Sequence, residues 1–90
     1  MQTTHVRVEG RVQGVFFRDY TRNQALQLHL KGWVRNLRDG SVEAVLHGRK
    51  EDIALLLERI HEGSPNSRVD NVHISHHESD EVFTNFEIRY

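Results

Sequence analysis

Between Gly10 and Arg18 the chain reads GRVQGVFFR, with two glycines, no acidic residue and a closing arginine. Glycines let a backbone turn and approach a ligand, so successive N–H groups face one concavity. A helix starting at the end of this stretch adds its own unpaired N–H groups and the positive end of its dipole. Arg18 contributes a planar, permanently charged fork suited to phosphate oxygens. These residue types describe an anion cradle, and phosphate is the anion they fit best. The stretch is not a Walker loop, because three residues separate Gly10 from Gly14 and no Lys-Ser/Thr pair follows, and it is not GxGxxG. Taken alone it favours anion binding only slightly over a surface turn whose Val15, Phe16 and Phe17 plug the core.

A second candidate lies in Gly32-Trp33-Val34-Arg35-Asn36-Leu37, which leads into Asp39-Gly40. Asn36 is a poor strand former set three residues before a turn. Its amide donates and accepts at once and so can hold a water. By itself, a tolerated polar group on a strand edge is the better reading.

Both candidates need elements to position them. His5 to Arg11 alternates, Val6 and Val8 on one face and His5, Arg7 and Glu9 on the other, which predicts a strand. Asp19 to Lys31 carries Ala25, Leu26, Leu28 and Leu30 without Gly or Pro, which predicts a helix closed by Gly32. Trp33 to Arg38 and Ser41 to His47 flank Asp39-Gly40, a strong hairpin signal. Val42, Ala44 and Leu46 share one face of the second arm, opposite Glu43, Val45 and His47. Glu51 to Glu62 places Ile53, Leu56, Leu57 and Ile60 in a helical stripe, stopped by Gly63-Ser64-Pro65. Val69 to His77 alternates again, Glu78 to Glu81 forms a charged turn, and Phe86, Ile88 and Tyr90 form a last strand. The order β-α-β-β-α-β-β predicts an α+β, ferredoxin-like sandwich of split βαβ units plus a C-terminal strand. Both helices should cover one face of an antiparallel sheet.

The chain has 90 residues, 37% of them hydrophobic and 28% charged, which predicts one soluble domain over 1–90. A formal net charge of −1 leaves no basic excess for a nucleic-acid backbone. Without cysteine there is no disulfide framework, thiolate nucleophile or thiolate zinc site. The start MQTTHVRV has no apolar leader core and no run approaches membrane-spanning length, so no membrane partner and a cytoplasmic location are expected.

Together, GRVQGVFFR and GWVRNLRDGSVE resemble acylphosphatase, the family of small acyl-phosphate hydrolases. The resemblance continues through Gly48, the second helix, Ser64-Pro65, Arg68-Val69 and Phe86-Glu87-Ile88-Arg89-Tyr90, so it covers essentially the whole chain. Asn66-Ser67 stands where smaller residues are more usual, and Asn85 where glycine is common. The resemblance implies a ferredoxin-like fold and hydrolysis of the carboxyl–phosphate anhydride to carboxylate and phosphate, without metal or other cofactor. Carried onto this chain, Arg18 holds the phosphoryl group among backbone N–H groups of Arg11, Val12, Gln13, Gly14, Val15, Phe16 and Phe17. Asn36 positions the attacking water. The expected partners are a small acyl phosphate and inorganic phosphate, with a monomer and no nucleic acid. The alternative within the same fold is a module that binds a phosphorylated metabolite or carbamoyl phosphate without turning it over. The chain running to Tyr90 with no linker favours the free-standing enzyme.

Other polar groups attract less weight. Alternation puts His73 and His77 on one strand face and His76 on the other, which splits any ligand shell. Arg35 and Arg38 are candidates for drawing in an anionic substrate, and Arg38 reads better as a solvated hairpin charge. Glu9 and Glu43 belong to the wet sheet face, because a carboxylate beside a phosphate is repelled. Trp33 reads as packing. An RNA-recognition module of this topology would carry aromatics on its exposed central strands, and the first and third strands carry none there.

Overall fold

The computed structural model describes residues 1–78 and 80–90. Its elements are β1 (Gln2–Arg11), α1 (Phe17–Gln27), β2 (Lys31–Asn36), β3 (Val42–Gly48), α2 (Lys50–Glu62), β4 (Arg68–His76) and β5 (Phe86–Arg89). The element order is the expected one. The five strands form one sheet in the order β4-β1-β3-β2-β5. No helix among the described residues is long and apolar enough to cross a membrane. The charged turn expected at Glu78–Glu81 contains Ser79, which lies outside the described residues.

The sheet departs from expectation in one pairing. β1 pairs antiparallel with β3 and β4, and β3 antiparallel with β2, but β5 lies parallel to β2. The cause is connectivity. β4 occupies one edge of the sheet and β5 the other, so the chain crosses the full sheet between them rather than turning back as a hairpin. The sheet is therefore mixed, not wholly antiparallel.

Strand alternation decides which face is buried. Val6, Val8, Val34, Val42, Ala44 and Leu46 point to the helices and are all essentially inaccessible to solvent. Phe17 and Ala25 of α1 and Ile53, Leu56 and Ile60 of α2 close over them, with Leu57 packed at the margin. Each large side chain buried this way contributes roughly 1.5–3 kcal/mol of hydrophobic stabilisation.

The first helix ends sooner than its composition predicts. His29 takes a left-handed φ of 59° after Gln27, so the chain turns there and not at Gly32. That turn buries Leu30 and frees Gly32 for β2, where its φ is 134° and an added Cβ would stand 1.8 Å from the Val45 carbonyl oxygen. Gly32 is thus a point of close strand approach, not a helix cap. The Asp39-Gly40 hairpin forms as expected, with Asp39 Oδ1 accepting from the Ser41 N–H at 2.9 Å.

The face away from the helices is not uniformly wet. Val45 is fully buried there beside its cross-strand neighbour Trp33. The indole ring is itself flanked by the guanidinium groups of Arg35 and Arg89 at 5.0 and 4.9 Å. Trp33 packs, as its sequence context predicts, but on the open face and under two cations.

Candidate active site

Strand direction gathers the site. β1 and β2 both run opposite to β3, and β5 runs with β2, so the C-terminal ends of β1, β2 and β5 share one end of the sheet. The Gly-rich loop leaves β1 there, β2 finishes in Asn36, and β5 leads to Tyr90. A cleft of about 260 Å³ opens at this end, lined by Val12, Gly14, Phe16, Phe17, Arg18, Asp19, Ile88 and Tyr90.

The loop is shaped by two left-handed residues, Gly14 at φ 72° and Phe16 at φ 60°. A Cβ on Gly14 would meet nothing within 4 Å, so backbone conformation and not space calls for glycine. Phe16 holds the same conformation with a full side chain, at a cost of about 1–2 kcal/mol. It is also 79% exposed, so burial does not offset that cost. Phe16 is the N-cap of α1 and makes no capping side-chain hydrogen bond. The first N–H groups of α1 are therefore free of a cap, at the positive end of its dipole.

Three contacts hold the loop still. Gln13 Nε2 donates to the Leu37 and Ser41 carbonyl oxygens at 2.7 and 2.8 Å, tying the loop to the hairpin. Ser64 Oγ donates to the Val15 carbonyl at 3.3 Å, tying it to the turn after α2. Val12, Val15 and Phe17 are buried in the core while Phe16 faces out, so two of the three residues Val15, Phe16 and Phe17 plug the interior.

Arg18 is half-buried and lies over the Tyr90 ring, 5.0 Å from its centroid. Among the described residues no carboxylate or hydrogen-bond partner engages its guanidinium, whereas the neighbouring Asp19 pairs with Arg22 at 3.5 Å. Asn36 pairs with Val42 and so shares the helix-side face with Val34. Its Oδ1 is buried and has no hydrogen-bond partner. The parallel register Arg35↔Arg89 carries β2 into Asn36 and β5 into Tyr90 side by side. Asn36 is not among the residues that line the cleft.

The sequence matches the acylphosphatase family over residues 4–88. The chain belongs to that family. It is 48% identical over 90 residues to the acylphosphatase of Rubrobacter xylanophilus, covering 98% of this chain and 82% of that one. The crystal structure of acylphosphatase from Bacillus subtilis superimposes with a TM-score of 0.95 at 36% identity, over all of both chains. An acylphosphatase structure from Coxiella burnetii gives 0.91 at 41% identity, over 98% of this chain and 92% of that one.

Within this acylphosphatase, the other loop residues divide by role. Arg11 closes β1 in register with Arg68, Gln13 braces the hairpin and Val15 is buried, so none of their side chains lines the cleft. The brace from Gln13 and the contributions of Ser64 and Tyr90 carried no local signal. A larger depression, about 440 Å³, lies beside Arg7, Glu9, Asp39, Arg68 and Asp70. Its charges already satisfy each other, Arg7 with Glu9 at 2.7 Å and Arg68 with Asp70 at 3.0 Å. It therefore presents no uncommitted cation to an anion.

Glu9 and Glu43 lie on the open face, as alternation predicts. The hydrogen bond from His73, at 2.7 Å, holds the Glu9 carboxyl below its ordinary range. Burial pushes the Glu43 carboxyl up, but hydrogen bonds from His5 and Arg35 outweigh it and the net shift is downward. Depressed carboxylates are weak bases, which fits structural roles for both. The strand histidines find partners that spacing alone did not place: His73 meets Glu9 across the β1–β4 register, and His5 meets Glu43 at 2.7 Å. Among the described residues, no three His, Asp or Glu side chains are grouped to hold a metal ion.

Proposed function

We propose that this acylphosphatase hydrolyses its substrate by direct attack of water on phosphorus. Arg18 and the N–H groups of the loop and of the start of α1 hold the phosphoryl oxygens, and Asn36 orients the water. The water oxygen forms the new bond to phosphorus as the phosphorus–oxygen bond of the anhydride breaks. The electron pair of that bond leaves on the carboxylate, and the water proton passes to the phosphate product. A carboxylate is a good leaving group, so positioning and charge stabilisation suffice and no strong base is needed.

The observation that carries this reading is an arginine with no ion pair among the described residues, beside the uncapped start of a helix and in one cleft with a left-handed loop. The Asn36 Oδ1, buried and without a hydrogen-bond partner among the described residues, supports the role given to that amide, because its free acceptor can take a water O–H once a water enters beside it. In this reading one chain supplies every group the chemistry requires, so the protein acts as a monomer without a cofactor, and we propose a cytoplasmic location for it.

The test is release of benzoate from benzoyl phosphate in EDTA, beside Arg18→Ala. Rapid hydrolysis that collapses in the variant together with phosphate inhibition is the expected result. Equal phosphate affinity in wild type and Arg18→Ala would overturn the role given to Arg18. Tight phosphate binding with no hydrolysis would establish the non-catalytic binding module instead.

A further inference from the structure

The anion site occupies only part of its cleft, and the remainder has a chemical character of its own. Val12 and Ile88 contribute apolar side chains, and two aromatic rings, Phe16 and Tyr90, line the same space as Arg18. Both rings are strongly exposed, Phe16 at 79% and Tyr90 completely. Neither belongs to the core.

Folding alone does not explain Phe16. A left-handed position at a loop–helix junction is best filled by glycine or asparagine, and an exposed one returns no burial to a phenylalanine. Phe16 is also shared between this cleft and a neighbouring depression lined by Val15, Tyr20, Pro65 and others, so its ring forms the ridge between them. The Tyr90 ring lies against the Arg18 guanidinium, whose Cζ is 5.0 Å from the ring centroid.

An acyl phosphate bound through its phosphoryl group has its acyl carbon one oxygen away from phosphorus. The acyl substituent therefore starts within the same cleft, beside these rings. At about 260 Å³ the space is slightly smaller than the roughly 300–1,000 Å³ typical of drug-sized ligands. That volume suits a phosphoryl group and one ring or short branched chain, and a larger substituent would extend out of it into solvent.

We infer that Phe16, with Tyr90 and Ile88, forms an acyl-group subsite, and that the side chain of Phe16 sets a preference for apolar, planar acyl groups over small ones. This rests on the phosphoryl site proposed above. The ring acts on the acyl end of the substrate, whereas the Phe16 backbone N–H serves the phosphoryl end and survives any substitution except proline.

The experiment compares kcat/KM for benzoyl and acetyl phosphate in wild type, Phe16→Ala and Phe16→Tyr. Alongside it, calorimetry measures binding of phenylphosphonate and methylphosphonate, which report the subsite without turnover. The expected result is a benzoyl-to-acetyl ratio that falls about tenfold in Phe16→Ala, mainly through KM, and is restored in Phe16→Tyr. The preference for phenylphosphonate over methylphosphonate should fall in parallel. Hydrolysis of both substrates with an unchanged ratio in Phe16→Ala would overturn the subsite and leave the catalytic reading standing. Failure of wild type to hydrolyse either substrate would overturn the catalytic reading, and equal binding of the two phosphonates would then overturn the subsite as well. Thermal melts of both variants check that folding is preserved, which the exposure of Phe16 leads us to expect.

Discussion

The chain contains two strand–helix–strand halves, β1-α1-β2 and β3-α2-β4, and their helices begin in opposite ways. Helix α2 starts from Arg49 in an extended conformation, and Glu51 and Asp52 place two carboxylates in its first turn. Those charges complement the dipole from within the chain. Helix α1 starts from a left-handed Phe16, has a single first-turn carboxylate in Asp19, and sets Arg18 at its entrance. Neither start has a side-chain cap, so the two differ in the conformation of the N-cap residue and in carrying one first-turn carboxylate or two. The anion site proposed above lies at the start with fewer carboxylates and an arginine in its first turn.

The largest effect should separate the two starts. Arg18→Ala is expected to lower kcat/KM by about 10³-fold or more and to weaken inhibition by phosphate, because one group binds both ground state and transition state. Arg49→Ala, at the N-cap of α2, should change kcat/KM by less than about twofold, since its only side-chain partner among the described residues is a weak surface pairing with Glu51 at 3.8 Å. Comparable losses in the two variants, measured with benzoyl phosphate, would erase the distinction between the halves.

Asn36→Ala comes next. A water-positioning amide acts on the chemical step, so kcat should fall about 10²-fold while phosphate inhibition stays close to that of wild type. Loss of phosphate binding in this variant would show that Asn36 holds the end of β2 in place and does not act on the water.

These two residues were legible in the sequence because each is locally anomalous: an arginine closing a glycine-rich apolar loop, and an asparagine in a strand. The element order was legible for a related reason, since alternation and helical spacing are local. What lay hidden was set by partners distant in the chain. Gln13 reaches Leu37 and Ser41, His73 reaches Glu9, and Val45 becomes buried only because Trp33 lies across the strand pair. The parallel pairing of β5 belongs to the same class, because a strand's direction depends on which edge remains open and not on its own residues. The early end of α1 differs again. Left-handed His29 overrode a composition that read as continuous helix, so that Leu30 could enter the core.

The halves are joined where β1 meets β3, and Glu43 is a fastener at that joint. From β3 it accepts hydrogen bonds from His5 of β1 at 2.7 Å and from Arg35 of β2 at 2.6 Å. Its carboxyl is held below the ordinary value of 4.5. A group depressed on folding contributes stability above its unfolded pKa and loses it as pH falls through the folded value. Glu43→Gln should therefore cost about 1 kcal/mol at neutral pH. The gap from wild type, measured by urea unfolding, should shrink progressively once the pH drops below about 4.5. A constant gap across that range would mean that the ionised form of Glu43 contributes nothing to the joint.

The smallest effect tests the comparison most directly, because one chemical change should have different consequences for phosphate affinity at the two helix starts. Neutralising a first-turn carboxylate removes about 0.3–1 kcal/mol of favourable dipole interaction in either helix. In α2, Glu51→Gln should show that loss in stability and nothing in phosphate affinity. In α1, Asp19 lines the cleft proposed to hold the phosphoryl group, so Asp19→Asn should show a similar or smaller loss of stability together with a gain in phosphate affinity of about two- to threefold. The gain should diminish with added salt, as expected for repulsion between a partly exposed carboxylate and an anion. If Asp19→Asn leaves phosphate affinity unchanged at low salt, the anion does not sit at the start of α1, and the two helix starts differ in sequence without differing in use.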